Sequence, residues 1–302
     1  MIRIFGTIFA GLLGLAFGSF LNVCLSRWPV GESVVAPRSH CRTCGRTLAW
    51  WENVPLLSWL ALRGRCRTCG ESIGWRYPLV EAAVGGLWAT LLWQSLSFAD
   101  VNSDSWALAH MLHYPIVPFL IAGSALFIWL LMTLAILDAE HLWLPDWLTL
   151  PGIAFGFLYT MLKNRLIYEV TYDFGPATPP ITLGAVNCIL TILAAAGLIL
   201  LIRWVYWLVR KREGIGLGDA KLMALLAAWL GLPGALVAFA LGVALGTITA
   251  LVLLVLPKRA GETEAWTAMK LPLGTFLCIG GIVSGLWGLP IIAAYLRWAG
   301  FY

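Results

Sequence analysis

The chain has 302 residues, 60% of them hydrophobic and only 12% charged, with 17 tryptophans and a formal net charge of +5. A mean hydropathy of +0.85 excludes an ordinary soluble domain. Apolar stretches of membrane-spanning length recur along the sequence, and in lipid each must be a helix that satisfies its own backbone hydrogen bonds. The prediction is an all-α polytopic membrane protein with about eight transmembrane helices.

In chain order the expected spans are roughly 4–25, 79–98, 115–137, 148–162, 182–208, 220–232, 233–256 and 272–298. The sixth is short, and the turn Gly231-Leu232-Pro233-Gly234 divides it from the seventh. The first carries polar groups in "FGSFLNVCLSRWP" and no small-residue cleavage site, so it reads as a retained helix rather than a signal peptide. No low-complexity tract or tandem repeat stands out. Three divisions follow: 1–25 as the first transmembrane helix, 26–78 as a cytoplasmic zinc-binding loop, and 79–302 as a bundle of about seven helices.

Orientation rests on where the basic residues fall. The segment from Ser26 to Pro78 holds Arg27, Arg38, Arg42, Arg46, Arg63, Arg65, Arg67 and Arg76, whereas the connection "ADVNSDSWALAHMLHY" has no Lys or Arg. Positive loops stay in the cytoplasm, so 26–78 is expected there, with the "RKREGIGLGDAK" and "PKRAGETEAWTAMK" loops on the same side and both termini periplasmic. The Lys163/Arg165 pair is the exception. Because topology accounts for the arginines, no nucleic-acid partner is expected.

The arginine-rich loop also carries cysteines at metal-ligand spacing: "HCRTCGRTLAWWENVPLLSWLALRGRCRTCGES". Cys41/Cys44 and Cys66/Cys69 are two C-x2-C pairs, each followed by a glycine, Gly45 or Gly70, that lets the chain turn under a metal. The intervening 21 residues slightly exceed the usual spacing of about 15–20. Four thiolates fit a closed, structural Zn2+ site resembling a zinc ribbon; two disulfides are the alternative, disfavoured in a reducing compartment. Cys24, Cys188 and Cys278 lie in apolar runs and read as core filler.

Carboxylates at membrane depth are costly and point to function. Asp138 falls at the end of the third span, where the helix dipole disfavours negative charge. Asp146 follows Pro145 and suits a helix N-cap, with Thr149 three residues on. Asp219, in "GIGLGDAKL", reads either as a cap or as a reactive group. Gly214, Gly216 and Gly218 remove side chains from its approach, which makes Gly216 and Gly218 candidate substrate-access glycines. Asp138 and Asp219 lie on different helices at one depth. Brought together, such a pair holds one carboxyl protonated as acid and one ionised as base, the chemistry that activates water and protonates a leaving amine in peptide hydrolysis. No Ser/His/Asp set competes: His110 and His113 fall on the outer side, His40 lies beside the cysteines, and His141 is an interfacial histidine near Asp138.

Six stretches in order, "FGSFLNVCLSRWP", the paired C-x2-C loop, "WRYPLVE", "LDAEHLWLPDWLTLP", "GIGLGDAKL" and "LPLGTFLCIGG", resemble the bacterial type IV prepilin peptidases from about Gly18 to Gly281. The resemblance implies a Gly-x-Gly-Asp membrane aspartic peptidase of the bacterial inner membrane. Such an enzyme cuts the short basic leader from type IV prepilins or type II secretion pseudopilins at the cytoplasmic face. The long form, which retains the cysteine loop, also methylates the new N-terminal amine with S-adenosylmethionine. The same resemblance implies Asp138 and Asp219 as catalytic and Cys41, Cys44, Cys66 and Cys69 as metal ligands. Where the family often has "PFGP" this chain reads Pro272-Leu273-Gly274-Thr275, a difference expected to touch no catalytic residue.

No Gly-x-Gly-x-x-Gly follows a strand, so methyl transfer rests on the resemblance alone. Gly64 and Glu81 are the candidates for the donor's site, and Glu81 reads equally well as a charge snorkelling at a helix start. Leader recognition is expected from Glu140, Glu213 or backbone groups. Two other classes remain open: a membrane transporter, and a non-catalytic assembly protein whose zinc ribbon docks and whose aspartates cap helices.

Overall fold

The computed structural model describes residues 1–101, 116–171, 181–211, 216–255 and 271–301. Gly214, Glu213, His110 and His113 lie outside the described residues. The described chain is helical, and its extended pairing amounts to the isolated bridges His40–Thr47 and Arg65–Ser72. In order the helices are α1 (Ile2–Arg27), α2 (Leu57–Ala61), α3 (Arg76–Val101), α4 (Ile116–His141), α5 (Asp146–Thr171), α6 (Ile181–Arg210), α7 (Leu217–Val255) and α8 (Leu273–Trp298). Six of them, α1, α3, α4, α6, α7 and α8, are long and apolar enough to cross a membrane. The fourth expected span, 148–162, falls in α5, which is not among the six. The sixth and seventh both fall in α7.

Two compact units divide the chain, Met1–Trp129 and Leu130–Tyr302, the boundary falling within α4. In the first, α1 and α3 approach closely because glycines replace side chains at the crossing. A Cβ at Gly14 would stand 2.9 Å from the Gly85 Cα, and one at Gly18 only 2.7 Å from the Glu81 Cα. This is the small-residue packing that membrane helices use in place of a hydrophobic drive. Between these helices the chain makes the cysteine loop. It is tied to α1 by Arg27, which donates to the carbonyls of Ser33 (2.7 Å) and Pro37 (2.6 Å), and by Arg42, which donates to Ser26 O (3.0 Å).

In the second unit α7 is not one rod. Gly231 has φ 71° and ψ 176°, outside the helical range and accessible to glycine, and Pro233 follows it. The neighbours on α8 show what this break does. Before it, Gly218 shares its neighbour Leu144 with Gly274, and Leu226 lies against Gly281, so the two helices ascend together. After it, Gly234 O accepts from Ser284 Oγ (2.8 Å), Ala238 O abuts Gly280, and Gly242 packs on Leu277, so the numbers run oppositely. The segment is therefore a hairpin folded at Gly231. Its arms correspond to the expected sixth and seventh spans, separated at the turn anticipated for them. The first arm also packs on α5: Trp229 Nε1 donates to Gly152 O (2.9 Å), and its indole fills the place of a side chain at Gly156.

Candidate active site and metal centre

Asp138 stands in the last turn of α4, 6% exposed. Its Oδ2 accepts the Thr275 N–H at 2.7 Å and lies 3.1 Å from Thr275 Oγ1, which also reaches Ala135 O at 3.0 Å. Thr275 is the third residue of α8, so its N–H is one of the donors a helix leaves unpaired at its start. A carboxylate from α4 thus caps the positive end of another helix. Gly274 makes the approach possible, because a Cβ there would sit 2.8 Å from Asp138 Oδ2. The departure at Thr275, expected to touch no catalytic residue, therefore meets Asp138, the residue proposed for catalysis. Nothing local in the sequence signals this, since the two positions are 137 residues apart.

Asp219 is the third residue of α7, also buried, and its Oδ2 accepts the Gly216 N–H at 3.3 Å. That reach back to the helix entry is half of a capping box, so Asp219 does serve as a cap. Its environment exceeds what a cap requires. The Asp138 carboxyl lies close enough to act electrostatically on Asp219, and both act on the buried Cys278 of α8. Leu144 stands between their supports: its Cδ1 would lie 3.0 Å from a Cβ at Gly274 and 3.1 Å from one at Gly218. The space that Gly218 leaves is therefore filled by Leu144, whereas beside Gly216, among the described residues, only Asp219 Oδ2 and the Gly218 N–H come near. Among the described residues neither aspartate is ion-paired.

Asp146, expected to be an N-cap, is the first residue of α5, and the Leu148 and Thr149 N–H groups instead reach Pro145 O, at 3.1 and 3.0 Å. Its carboxylate meets Lys221 Nζ at 2.5 Å. Lys221 lies two residues after Asp219, so the pair ties the start of α5 to the first arm of α7. His141 lies 3.9 Å from Glu140.

In the first unit the four cysteine sulfurs of 41, 44, 66 and 69 all lie within 4.8 Å of one another. Each pair sits in the same local turn. The Cys41 N–H meets Arg46 O and the Gly45 N–H returns to Cys41 O, both at 2.9 Å; the Cys66 N–H meets Glu71 O at 2.8 Å and the Gly70 N–H returns to Cys66 O at 3.0 Å. Gly45 (φ 70°) and Gly70 (φ 72°) occupy the left-handed region that these turns need. No disulfide joins the thiols; Cys41 and Cys69 sulfurs are 3.7 Å apart. A tetrahedron with metal–sulfur bonds of about 2.3 Å has sulfur–sulfur edges of about 3.8 Å, so the four residues fit a metal.

The electrostatics agree. N–H groups of Cys44 and then Thr43 hold the Cys41 thiol down to about 6, and those of Cys69 and Thr68 lower Cys66. For Cys69 the Glu71 N–H lowers the thiol, but burial and the neighbouring sulfurs outweigh it and push it up to about 12. Four thiolates this close need a cation among them. Glu52 braces the loop, accepting from Arg46 (2.6 Å) and from the Ala49 N–H (2.7 Å), and Arg46 holds its carboxyl below the usual glutamate range.

Beside the cysteines opens a cleft of about 700 Å³, lined among others by Ser19, Asn22, Cys41, Cys66, Tyr77 and Glu81. Glu81 is 8% exposed, so it does not snorkel. Gly64 (φ 66°) does not line the cleft; a Cβ there would lie 2.8 Å from the Trp59 ring, which does.

Helices long and apolar enough to cross a membrane, two buried aspartates in one unit and four cysteines that could hold a metal in the other suit a membrane peptidase, and the comparisons supply the class. Residues 12–95 match the model of the bacterial peptidase A24 N-terminal domain, and residues 125–251 match that of the type IV leader peptidase family. The chain is 37% identical over 263 residues to the prepilin leader peptidase/N-methyltransferase of Myxococcus xanthus, covering 85% of this chain and 67% of that protein. It is 32% identical over 316 residues to the protein of the same name from Pseudomonas aeruginosa, covering 96% and 93%. A type 4 prepilin-like proteins leader peptide-processing enzyme of Escherichia coli is 33% identical over 301 residues, covering 92% of each. No solved structure matches the chain. The chain belongs to the type IV leader peptidase family.

Proposed function

We propose that this protein removes the leader from prepilins or pseudopilins with Asp138 and Asp219, and methylates the amine that cleavage exposes. One observation carries the first half: two buried carboxyl groups from different helices, each held by a backbone N–H, flank the same side chain, Leu144, and among the described residues no cation pairs with either. Helix capping explains each bond separately but not the pairing. In the reaction one carboxyl keeps a proton while the other takes one from water. That water attacks the scissile carbonyl, and the protonated carboxyl delivers its proton to the leaving amine.

The arginine-rich cysteine loop favours a cytoplasmic position for 26–78, with both aspartates on that side of the inner membrane and both termini periplasmic. The leader's basic part then stays in the cytoplasm while the substrate's apolar segment lies in lipid. The metal of the four-cysteine group is Zn2+ in this reading, closed by four sulfurs and structural. S-adenosylmethionine supplies the methyl group, and the cleft beside the cysteines is its site. The three proposed divisions, 1–25, 26–78 and 79–302, stand as roles: helix, metal loop and peptidase bundle. A transporter or a non-catalytic assembly protein is not favoured by the family.

Asp138→Asn and Asp219→Asn should each cut leader removal from a purified prepilin by about 10²–10⁴-fold while the protein still accumulates in the membrane. Processing by both variants at the wild-type rate would sink the paired-aspartate reading.

A further inference from the structure

The cleft of the first unit contains a buried carboxyl group that no cation among the described residues balances. Glu81 is 8% exposed, on a helix apolar enough to cross a membrane, and its carboxylate accepts the Leu56 N–H at 2.8 Å and bonds Ser19. Among the described residues no cation pairs with it, unlike Glu52 of the same cleft, which holds Arg46 at 2.6 Å. A buried carboxylate without a counter-charge is costly, and such groups mark binding sites in membrane helices. One turn along α1 from Ser19, Asn22 is 4% exposed; its Nδ2 donates to Tyr77 O at 3.0 Å, while its Oδ1 is a buried acceptor with no partner. Ser19, Asn22 and Glu81 all line the cleft, whose volume of about 700 Å³ suits a small organic molecule.

Holding Leu56 does not account for the charge. Leu56 has φ 58°, a conformation a leucine rarely takes, and Glu81 Oε2 fixes its N–H. A neutral amide oxygen would do this equally well, so the negative charge is left for another group.

We infer that Glu81, with Ser19 and Asn22 beside it, is the counter-charge for an aliphatic ammonium group bound in this cleft. This rests on the methyl-transfer reading, in which two such groups arise: the α-ammonium of the methyl donor's amino-acid end, and the N-terminal amine freed by cleavage.

The test uses the full chain in lipid nanodiscs. Glu81→Gln keeps an oxygen for the Leu56 N–H and removes the charge. Two probes are titrated calorimetrically: S-adenosylhomocysteine, which carries the ammonium, and 5′-methylthioadenosine, which has the same nucleoside without it. The donor's ammonium is identified if Glu81→Gln weakens S-adenosylhomocysteine at least tenfold and leaves 5′-methylthioadenosine within twofold. If both nucleosides bind as to wild type but the KM of a peptide with a free N-terminal phenylalanine rises in the methyl-transfer assay, the ammonium is the substrate's. Equal weakening of both nucleosides, or no change in any of the three, overturns the assignment. Ser19→Ala, which removes a neutral hydroxyl from the carboxylate, should shift the same ligand in the same direction by a smaller factor. A wild-type protein that binds neither nucleoside and transfers no methyl group would refute the methyl-transfer reading itself.

Discussion

Thr275 shows how a residue acquires a role from where its helix begins. As the third residue of α8 it has an N–H with no partner inside the helix, which it gives to Asp138 Oδ2, and its hydroxyl shares one hydrogen between that oxygen and Ala135 O, whereas Asp219 has the single 3.3 Å bond from Gly216. Thr275→Val keeps the N–H and removes the hydroxyl. A hydrogen bond to a charged group contributes about 1.5–3 kcal/mol, so kcat for leader removal should fall roughly tenfold or more with KM little changed, and Thr275→Ser should restore it. Unchanged kcat would remove Thr275 from the catalytic setting. The aspartates were legible because a carboxylate in an apolar run is costly; the threonine was not, because an ordinary polar residue at a helix start gains meaning only from a partner 137 residues away. Glu52 illustrates the opposite sign of partner. Arg46 holds its carboxyl below the ordinary value of about 4.3, so the pair stabilises the loop above that pH and the stabilisation disappears as pH falls through the lowered value. Glu52→Gln should make the loop more sensitive to protease at pH 7. That difference from wild type should close at or below about pH 4, and a difference that widens on acidification would refute the coupling.

At the level of elements, apolar length located the spans, and α1, α3, α4, α6 and α8 lie where it placed them. The Gly-Leu-Pro-Gly turn was equally legible, because Gly231 and Pro233 are incompatible with an uninterrupted helix. What sequence could not convey is that both arms of α7 lie along α8, since this depends on glycines far apart in the chain. Gly280 abuts the Ala238 carbonyl so closely that a Cβ has no room. Gly280→Ala should cost about 1–3 kcal/mol, read as a lowered thermal midpoint in detergent micelles. A midpoint unchanged within a degree would mean that the arms separate without penalty.

At the scale of the molecule, the proposed reading divides two chemistries between two units, and each has its own readout. Metal analysis should find one zinc per chain. Replacing Cys41 and Cys66 by serine should lower that content and expose residues 28–75 to protease while the long helices stay protected. Normal metal content in the double variant would refute the four-sulfur site. Mass spectrometry of a prepilin incubated with the protein should show leader loss with or without S-adenosylmethionine, and one added methyl group only with it.

The folded α7 has a consequence for the supply of water. Its first arm, from Leu217 to Leu230, is about 21 Å long, whereas the second, from Leu232 to Val255, is about 36 Å. Gly246 lies beside Phe276, one residue past the threonine that holds Asp138, so Thr247 to Val255 continue beyond the aspartates for roughly 13 Å. Those last residues, "TITALVLLV", are apolar and outward-facing, the character of a surface bathed in hydrocarbon. In the proposed peptidase reading the carboxyl pair then lies below the lipid boundary, where hydrolysis consumes a reactant that lipid excludes. On that reading a hydrated recess must reach down to Asp138 and Asp219, and its filling and drainage, more than the strength of either acid, can set how fast a peptide bond is cut there.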